Sequence, residues 1–536
     1  MSKSQTANGT VQAALRARVP LIWIVSPEET RIEPYLFEGG AAVNPPYETR
    51  FWDIAQGFTS LDGTVIMRGR GERDPDDALD AIRENQSRVV WVMRDLAPWI
   101  TAPTGMFTQR KLRNLAAWLP KQPSPVAQSL IILSTSSDIP PELANSVTVI
   151  DWPLPDREEI SALLDAAVAP ILDSATIPEA VREAVRTSTA NGTRDAAIDA
   201  AVGLSGEEAQ TCFARSLVQH RRIDAAAIAQ EKKRLITRAG MEWIDPPAAG
   251  MAAVGGLDVW RRWALSRRVA YSPQARAYGL PTPKGVLLIG VPGCGKSHSA
   301  KCLGGAWNVP VIRLDLGAQK SKFVGESEGN LRNALSRVEA IGPCILWIDE
   351  IEKALAGATG EAGDGGVSAD ALGAILTWMQ DRQGEAFVIA TANDAQKLPP
   401  ELLRKGRFDE VWWVDLPNRE ERAAIAAATL RSYGRDPDGI GIDLEAVAAA
   451  TDTFTGAEIA ALVPDALFAA FNEDAREIST DDLLRAAKTV VPLARTADDK
   501  IKRLREFWAG RARPATSAPV KPTAYEASKP FRALDL

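Results

Sequence analysis

The chain alternates short apolar runs with longer segments whose apolar residues recur at helical spacing. The apolar runs lie at residues 21–25, 89–93, 130–133, 285–289, 344–348 and 387–390. Runs of four or five apolar residues bounded by turn-forming or polar residues are typical of buried strands. Helical patterns lie between them, as at 76–84 after Asp74-Pro75. The alternation predicts an α/β fold in which parallel sheets are covered by helices.

Landmarks of the first 160 residues recur roughly 260 positions later. Ser26 corresponds to Gly290, and Asp95 to Glu350, each just after an apolar run. The sequence at 140–143 recurs at 399–402, and that at 154–159 recurs with one change at 416–421. The repeat predicts two copies of one fold. The alternative is an unrelated α/β domain in the first third.

The two copies differ where the first strand ends. The second copy has Gly-Val-Pro-Gly-Cys-Gly-Lys-Ser at 290–297, whereas the first has Ser-Pro-Glu-Glu-Thr at 26–30. Two carboxylates there would repel a polyphosphate. We therefore expect the first copy to be free of nucleotide, with a structural or partner-binding role.

Composition shifts and turn-rich junctions divide the chain. The predicted parts are a degenerate α/β domain at 1–155, a helical subdomain and linker at 156–245, a second α/β core at 246–416, a helical lid at 417–510 and a tail at 511–536. The tail is rich in Pro, Ala and Ser and lacks a burial pattern, which predicts disorder.

Residues 290–297 fit the phosphate-binding loop pattern of a glycine, four residues and then Gly-Lys-Ser. Because the loop follows a strand and precedes a helix, its N–H groups can hold phosphate oxygens. In this pattern Lys296 reaches the outer phosphates, and the Ser297 hydroxyl ligates Mg²⁺. The loop predicts a nucleotide site.

Polar residues follow two later strands of the same copy. Asp349 and Glu350 fit a division of labour in which Asp349 holds Mg²⁺ through water and Glu350 orients or deprotonates the attacking water. The alternative is that the acids cap the following helix. Asn393 is a candidate polar sensor of the γ-phosphate or the water, and the alternative is a turn-forming asparagine.

Further motifs surround this loop in a fixed order. They are Gly255-Gly256-Leu257, Phe-Val-Gly-Glu-Ser-Glu at 323–328, Ile348-Asp349-Glu350, Ala390-Thr391-Ala392-Asn393 and Leu-Arg-Lys-Gly-Arg-Phe-Asp at 403–409. Together with the loop they resemble an AAA ATPase module over residues 254–493. The whole chain, including Arg-Ala-Arg-Pro-Ala at 511–515, is most similar to AAA ATPases encoded in plastid and cyanobacterial genomes and their bacterial and phage relatives.

The resemblance implies a three-layer αβα AAA core with a helical lid, preceded by a degenerate AAA-like domain with its own helical subdomain. It implies that 290–297 is a Walker A loop and that Asp349 and Glu350 end a Walker B strand. It also implies nucleotide contacts from Gly255, Gly290, Pro292, Gly293, Cys294, Gly295, Lys296, Ser297, His298, Gly456 and Ala457, with Ser297 and Asp349 at the metal.

The same resemblance implies an assembly. Arg404 and Arg407 match arginine fingers, which act on the ATP site of a neighbouring subunit. A homo-oligomeric ring, most often a hexamer in this family, is therefore expected. Phe323, Val324 and Gly325 match the aromatic pore loop that grips extended polypeptide, and the alternative for Phe323 is a core aromatic. The acidic, Gly-rich segment 356–366 is expected to be a second pore-facing loop.

Composition and charge indicate which classes of partner and which compartment to expect. A net charge of -7 and a pI near 5.4 make nucleic acid a poor default partner. Four scattered cysteines and two histidines argue against a zinc site and suit a reducing compartment. The N-terminus has no signal-type segment, and the apolar runs are too short to cross a bilayer. We expect a cytoplasmic protein without a membrane partner.

The expected function is hydrolysis of ATP with Mg²⁺ in a ring, coupled to remodelling or threading of a protein client. One alternative is a regulatory scaffold whose assembly is gated by ATP. A nucleic-acid motor is a weaker alternative, because aromatic and basic residues do not interleave in the chain.

Overall fold

A computed structural model describes residues 2–66, 73–101, 105–136, 139–238, 241–315, 327–355, 365–382, 384–394, 398–404 and 406–517. These residues form two compact units: Met1–Leu235 with Arg332–Gly342, and Ile236–Leu331 with Pro343–Leu536. Within the described ranges, no helix combines the length and apolar character needed to cross a membrane.

The first unit begins with a sheet that is covered on both faces. Its strands are β1 Leu21–Val25, β2 Glu48–Asp53, β3 Gly57–Thr59, β4 Val89–Arg94, β5 Gln128–Ser134 and β6 Val147–Asp151, in the order β3-β2-β4-β5-β1-β6. All pairs are parallel except β2 with β3. The helices are α1 Lys3–Arg16, α2 Glu29–Ala42, α3 Pro75–Glu84, α4 Ala97–Thr101 and α5 Met106–Trp118. Trp23 packs in the core on one face and Ile22 in the core on the other, as expected for a parallel sheet.

A helical subdomain follows in the same unit. It consists of α6 Arg157–Leu172, α7 Glu179–Ser188, α8 Asn191–Ala201, α9 Gly206–His220 and α10 Ala225–Arg238. Asp156 with Glu159 and Ser205 with Glu208 form capping boxes that fix where α6 and α9 begin. The helices enclose a core around Phe213.

The second unit contains a sheet with the strand order β13-β12-β8-β11-β10-β9-β7. The strands are β7 Met241–Ile244, β8 Gly285–Gly290, β9 Val311–Leu314, β10 Cys344–Ile348, β11 Ala386–Ala392, β12 Glu410–Val414 and β13 Arg513–Pro514. The helices after β7 are α11 Asp258–Arg267, α12 Pro273–Tyr278, α13 Lys296–Trp307, α14 Ser327–Ile341, α15 Ile351–Leu355 and α16 Gly365–Asp381. Of these, α14 from Arg332 onward belongs to the first unit. Short 3-10 turns lie at Leu119–Lys121, Ser124–Val126, Ala144–Ser146, Gly250–Ala253, Arg268–Tyr271 and Pro400–Leu403.

The two sheets share one topology. Five parallel strands run β2-β4-β5-β1-β6 in the first sheet and β9-β10-β11-β8-β12 in the second, which is the same order by position in each copy. The end of the third strand is also alike, since Asp95 and Glu350 are both left-handed, with φ of 49° and 48°. The predicted duplication of one fold is confirmed, and the first copy is not an unrelated domain.

A second helical subdomain, the lid, follows β12. Its helices are α17 Arg419–Ser432, α18 Leu444–Ala450, α19 Gly456–Asn472 and α20 Thr480–Thr489, and α21 Leu493–Thr496 and α22 Asp498–Trp508 come after it. Asn418 with Glu421 and Thr455 with Glu458 form capping boxes at α17 and α19. The subdomain of the first unit begins α6 and α9 in the same way.

The tail differs from its prediction. Residues 513–514 form β13, which pairs with β12, and Ala515 is buried. Disorder from Arg511 onward is therefore wrong for residues 511–517, and residues 518–536 lie outside the described ones. The order comes from main-chain hydrogen bonds to a sheet edge, which leave no periodic apolar pattern in the sequence.

Candidate active site

The loop 290–297 leaves the carboxyl end of β8, between β11 and β12. Gly290 has φ +143, and a Cβ there would lie 1.9 Å from the carbonyl oxygen of Val414, so only glycine fits. Gly293 and Gly295 have φ of +75 and +88, and Gly295 is the N-cap of α13. The loop therefore directs main-chain N–H groups and a helix N-terminus toward one point, which suits an anion.

Lys296 is the first residue of α13 and is 5% exposed. Its Nζ donates to the carbonyl oxygens of Gly290 and Val291 at 3.0 and 2.8 Å. Burial lowers the pKa of Lys296 to about 8. A bound phosphate would be an anionic partner for this buried ammonium group and would favour its charged form. Burial also raises the pKa of Cys294 to about 12, which keeps this loop thiol protonated.

Ser297 is linked to the end of β10. The Ser297 hydroxyl donates to Asp349 Oδ1 at 2.9 Å, and the Thr391 hydroxyl donates to the same oxygen at 2.6 Å. Thr391 Oγ1 also accepts from the backbone N–H of Glu350 at 3.1 Å. The Ser297 hydroxyl from the start of α13 and the Asp349 carboxylate from the end of β10 thus meet beside the loop, and both are hard oxygen donors of the kind Mg²⁺ prefers.

Glu350 is held in place from β11 and α15. Asn393 Nδ2 donates to Glu350 Oε1 at 3.0 Å, while Lys353 Nζ lies 2.6 Å from Glu350 Oε2. The backbone N–H of Asn393 donates to the buried Glu352 carboxylate at 3.0 Å. The structure therefore brings Asp349, Glu350 and Asn393 together at the carboxyl edge of the sheet.

The predicted lining residues from the lid also reach this loop. The backbone N–H of Ala457, in the first turn of α19, donates to the carbonyl oxygen of Gly293 at 2.8 Å. A Cβ on Gly456 would lie 3.3 Å from that oxygen. Gly255 packs on α17, where a Cβ would lie 2.4 Å from Ile425 N. The core and the lid thus meet around the loop.

His298 and Pro292 complete the predicted set. His298 is exposed, and its Nε2 lies 3.1 Å from the carbonyl oxygen of Ala253 and 3.5 Å from Cys302 Sγ. The carbonyl oxygen of Pro292 lies 3.8 Å from Cys294 Sγ. His298 thereby connects α13 to the turn that precedes Gly255.

The loop that carries the two arginines ends at the other end of the sheet. Asp409 Oδ2 accepts from the backbone N–H groups of Lys284 and Gly285 at 2.7 and 2.9 Å, which fixes the end of the 403–409 loop beside the start of β8. From Gly285 to Gly290 a strand covers about 16 Å. Arg404 is exposed, and Arg407 donates to the carbonyl oxygen of Glu401 in its own loop. Among the contacts of the described residues, none joins Arg404 or Arg407 to residues 290–297 of the same chain.

Phe323, Val324 and Gly325 lie outside the described residues, as do positions 356–364 of the acidic segment.

Four residues of the site were not assigned by the sequence analysis. They are Thr391, Glu352, Lys353 and Arg313, whose guanidinium lies 4.0 Å from Asp349 Oδ2. Thr391 could have been found, because it precedes Asn393 on the same strand end. The other three are ordinary charged residues of a strand or a helix, and only their packing places them at the site.

Models of four AAA families match the chain. The "ATPase family associated with various cellular activities (AAA)" matches residues 286–416, and the "AAA+ lid domain" matches 441–485. The "SpoVK-like AAA ATPase, N-terminal domain" matches 8–152, and the corresponding "second domain" matches 158–239.

Relatives align over nearly the full length. The "Uncharacterized AAA domain-containing protein ycf46" of Pyropia yezoensis is 34% identical over 93% of this chain and 96% of the relative. The protein of that name from Guillardia theta is 33% identical over 92% of this chain and 93% of the relative. The chain belongs to the AAA ATPase family. The resemblance seen in the motifs is thereby confirmed, as is the AAA fold with a helical lid and an AAA-like first domain.

A further relative of this AAA protein aligns with less than half of the chain. The "ATP-dependent zinc metalloprotease FtsH" of Acidothermus cellulolyticus is 35% identical over 42% of this chain and 34% of the relative. Most of that relative has no counterpart in the alignment.

The donor set of this AAA module fits a nucleotide with Mg²⁺. Gly290, Gly293 and Gly295 turn the loop backbone through positive φ angles, and a Cβ on Gly295 would lie in open space. Among the described residues, the hydrogen-bond acceptors of the buried Lys296 ammonium group are backbone carbonyl oxygens and not carboxylates. Ser297 and Asp349 supply oxygen donors side by side. These are the groups that cradle β- and γ-phosphates and hold the metal in nucleotide-binding loops.

In the first AAA-like copy, the segment after β1 corresponds to the phosphate-binding loop, and side chains of the copy itself occupy this region. Glu28 is 2% exposed, and its carboxylate accepts from the backbone N–H of Gly206, in the first turn of α9. Arg31 lies 2.6 Å from the other oxygen of Glu28 and also donates to the carbonyl oxygen of Pro153. In the second copy the first turn of α19 donates to the loop backbone instead. A buried carboxylate thus joins the sheet and the helical subdomain of the first copy.

Replacing Glu28 by Gln is expected to destabilise the first unit by about 2–3 kcal/mol, because the half-buried Arg31 loses its nearer carboxylate and keeps only Glu159, at 3.4 Å. Urea unfolding followed by the fluorescence of the tryptophans measures this change. Glu29→Gln alters the neighbouring carboxylate, which lies outside this network, and serves as the control. Equal free energies of unfolding for the two variants would show that the Glu28–Arg31 ion pair does not stabilise the first unit.

Proposed function

We propose that the second copy binds ATP with Mg²⁺ and hydrolyses it in a homo-oligomeric ring, and that the ring remodels or threads a protein client. The observation that carries the proposal is the network joining Ser297, Asp349, Thr391, Glu350 and Asn393 beside the phosphate-type loop. Membership of the AAA family supports nucleotide use, and one relative is named as ATP-dependent.

Each residue has a separate task in this proposal. The N–H groups of the loop and Lys296 bind the β- and γ-phosphates, and Ser297 and Asp349 hold the metal directly or through water. Mg²⁺, when bound, neutralises charge on the phosphate oxygens. Glu350 orients a water molecule and accepts its proton at Oε1 or Oε2. Asn393 fixes Glu350 by its hydrogen bond and can contact the water or the γ-phosphate.

Arg404 and Arg407 act on the neighbouring subunit. They lie on a loop whose end is fixed at the amino end of β8, whereas the phosphate-type loop leaves the carboxyl end. A second copy of the chain can bring the arginines to the γ-phosphate, where they stabilise charge in the transition state. The ring is therefore part of the catalytic proposal.

The client is proposed to be an unfolded or partly unfolded polypeptide, gripped by the loop containing Phe323, Val324 and Gly325. This part rests on the family resemblance of the sequence motif. The acidic balance of the chain favours protein over nucleic acid.

The experiment measures phosphate release by the purified chain with Mg²⁺ and ATP, alone and with added partners. Reduced, carboxymethylated α-lactalbumin is expected to stimulate turnover, and Phe323→Ala is expected to remove the stimulation while basal turnover persists. Stimulation by single-stranded DNA or RNA instead would favour a nucleic-acid motor. ATP-dependent assembly without stimulation by any polymer would favour the scaffold.

A further inference from the structure

Residues 511–517 leave α22 and extend the edge of the second sheet. β13 pairs with β12, and the backbone N–H of Ala515 donates to the carbonyl oxygen of Trp413 at 2.9 Å. The Arg513 guanidinium lies over the ring of Trp412, 4.8 Å from its centre. Ala515 is only 1% exposed, so this segment is packed rather than loosely draped on the surface.

The same segment caps α11. The carbonyl oxygen of Ala515 accepts from the backbone N–H groups of Val259 and Trp260, each at 3.1 Å. The N-cap residue of α11 is Leu257, which has no side-chain oxygen to accept these N–H groups. The backbone N–H of Ser517 donates to Asp258 Oδ1 at 2.8 Å. The tail thus supplies the cap that the helix itself lacks.

The segment also reaches the first helix of the lid. The Thr516 hydroxyl donates to Glu421 Oε1 at 2.8 Å, and the same oxygen accepts from the backbone N–H of Leu257 at 2.8 Å. Glu421 Oε2 accepts from the N–H of Asn418 in the capping box of α17. One carboxylate therefore joins the tail, the loop before α11 and the start of the lid.

The loop 255–257 is confined between these groups. Gly256 has φ +87, and a Cβ there would lie 2.5 Å from Glu421 Oε1. Gly255 lies against the backbone of Ile425 in α17. The position of this loop thus depends on Glu421 and on the tail residues that contact Glu421 and α11.

We propose that residues 511–517 form a strap that positions the loop 255–257 for the nucleotide, and that Thr516 is a positioning residue for ATP. The inference rests on the proposed function, and on the nucleotide contact that the family resemblance implies for Gly255. We expect the strap to affect nucleotide binding and not the chemical step. Lys296 lies in α13 and Glu350 follows β10, and the strap bonds described above go to neither element.

Full-length variants test the strap. Thr516→Val removes the hydroxyl donor at nearly constant shape and is expected to raise the KM for ATP and the Kd of a fluorescent ATP analogue about fivefold. Thr516→Ser keeps the hydroxyl and is expected to bind like the wild type. Ala515→Pro removes the N–H that bonds to Trp413 and is expected to weaken binding about tenfold. In all three variants kcat is expected to stay within about twofold of the wild type.

Thermal unfolding checks that each variant folds. If Ala515→Pro does not fold, the comparison of Thr516→Val with Thr516→Ser decides the test. The inference is overturned if Thr516→Val binds the analogue as tightly as Thr516→Ser, or if kcat falls while KM stays constant. A wild-type chain that binds no ATP analogue overturns the proposed function and the inference together. A wild-type chain that binds, with equal affinity in all three folded variants, overturns the strap alone.

Discussion

Replacing Glu350 by Gln is expected to lower the rate of ATP hydrolysis by about 10² to 10⁴, the range that a general base contributes. Glutamine has nearly the shape of glutamate and can keep the hydrogen bond to Asn393, but its amide cannot accept a proton from water. The groups assigned to ATP binding, Lys296, Ser297 and Asp349, are unchanged. Phosphate release at saturating ATP measures the loss, and the Kd of a fluorescent ATP analogue is expected to stay within about threefold of the wild type.

The first copy offers a matched control for this change. Asp95 follows β4 as Glu350 follows β10, and both residues have the same left-handed backbone. Asp95→Asn removes a carboxylate from the equivalent strand end and is expected to leave turnover within about twofold. Wild-type turnover by Glu350→Gln, or an equal loss in Asp95→Asn, would contradict the assignment of chemistry to the second copy.

Removing one of the proposed arginine fingers is expected to lower turnover by about 10³ to 10⁵. Arg404→Ala is the cleaner test, because Arg404 is exposed, whereas Arg407 also bonds to the backbone of its own loop. ATP binding by the variant chain is expected to persist, since the residues of its own loop are intact. The rate of phosphate release and the Kd of the ATP analogue separate these two effects.

Arg431→Ala is the control for the loss of an exposed arginine. Arg431 lies on α17 of the lid, 3.8 Å from Asp436. Its removal is expected to change turnover by less than about twofold, because an exposed ion pair contributes little. A loss in this variant as large as in Arg404→Ala would mean that the effect is not specific to the 403–409 loop.

The sheets could be predicted from the sequence because their strands are apolar on both faces. The runs at 21–25 and 285–289 are continuously apolar, as is typical of strands that are buried on both faces. Capping boxes such as Asn418 with Glu421 mark where helices begin. The repeat then implied one topology for both copies. Strands that mix apolar with polar residues, such as β2, β6 and β12, were not predicted, and neither were the edge strands β7 and β13, which are four and two residues long.

The sequence predicted the residues of the candidate site better than the hydrogen bonds that join them. The motif spacing identified Lys296, Ser297, Asp349 and Glu350, because a phosphate-binding loop and strand-terminal acids have local sequence signatures. It could not show that Thr391 bonds to both Asp349 and Glu350 N–H, which depends on the alignment of β10 with β11.

Two long-range contacts could not be read from any local pattern. The bond from Thr516 to Glu421 joins residues 95 positions apart, and that from Gly206 to Glu28 joins residues 178 apart. Each uses a single polar atom in a segment whose other residues look unremarkable for a loop or a helix start. Such contacts follow from packing of whole elements, so periodicity carries no signal for them.

The central claim is that each ATP site is completed by arginines from a second copy of the chain. The most direct measurement is phosphate release by mixtures of the Glu350→Gln and Arg404→Ala chains, each of which is expected to be inactive alone. In a mixed ring the first chain supplies intact arginines and the second supplies an intact Glu350, so about a quarter of the sites in a random equal mixture regain both. We predict that activity returns on mixing; mixed rings that form but remain as inactive as either chain alone would contradict the account.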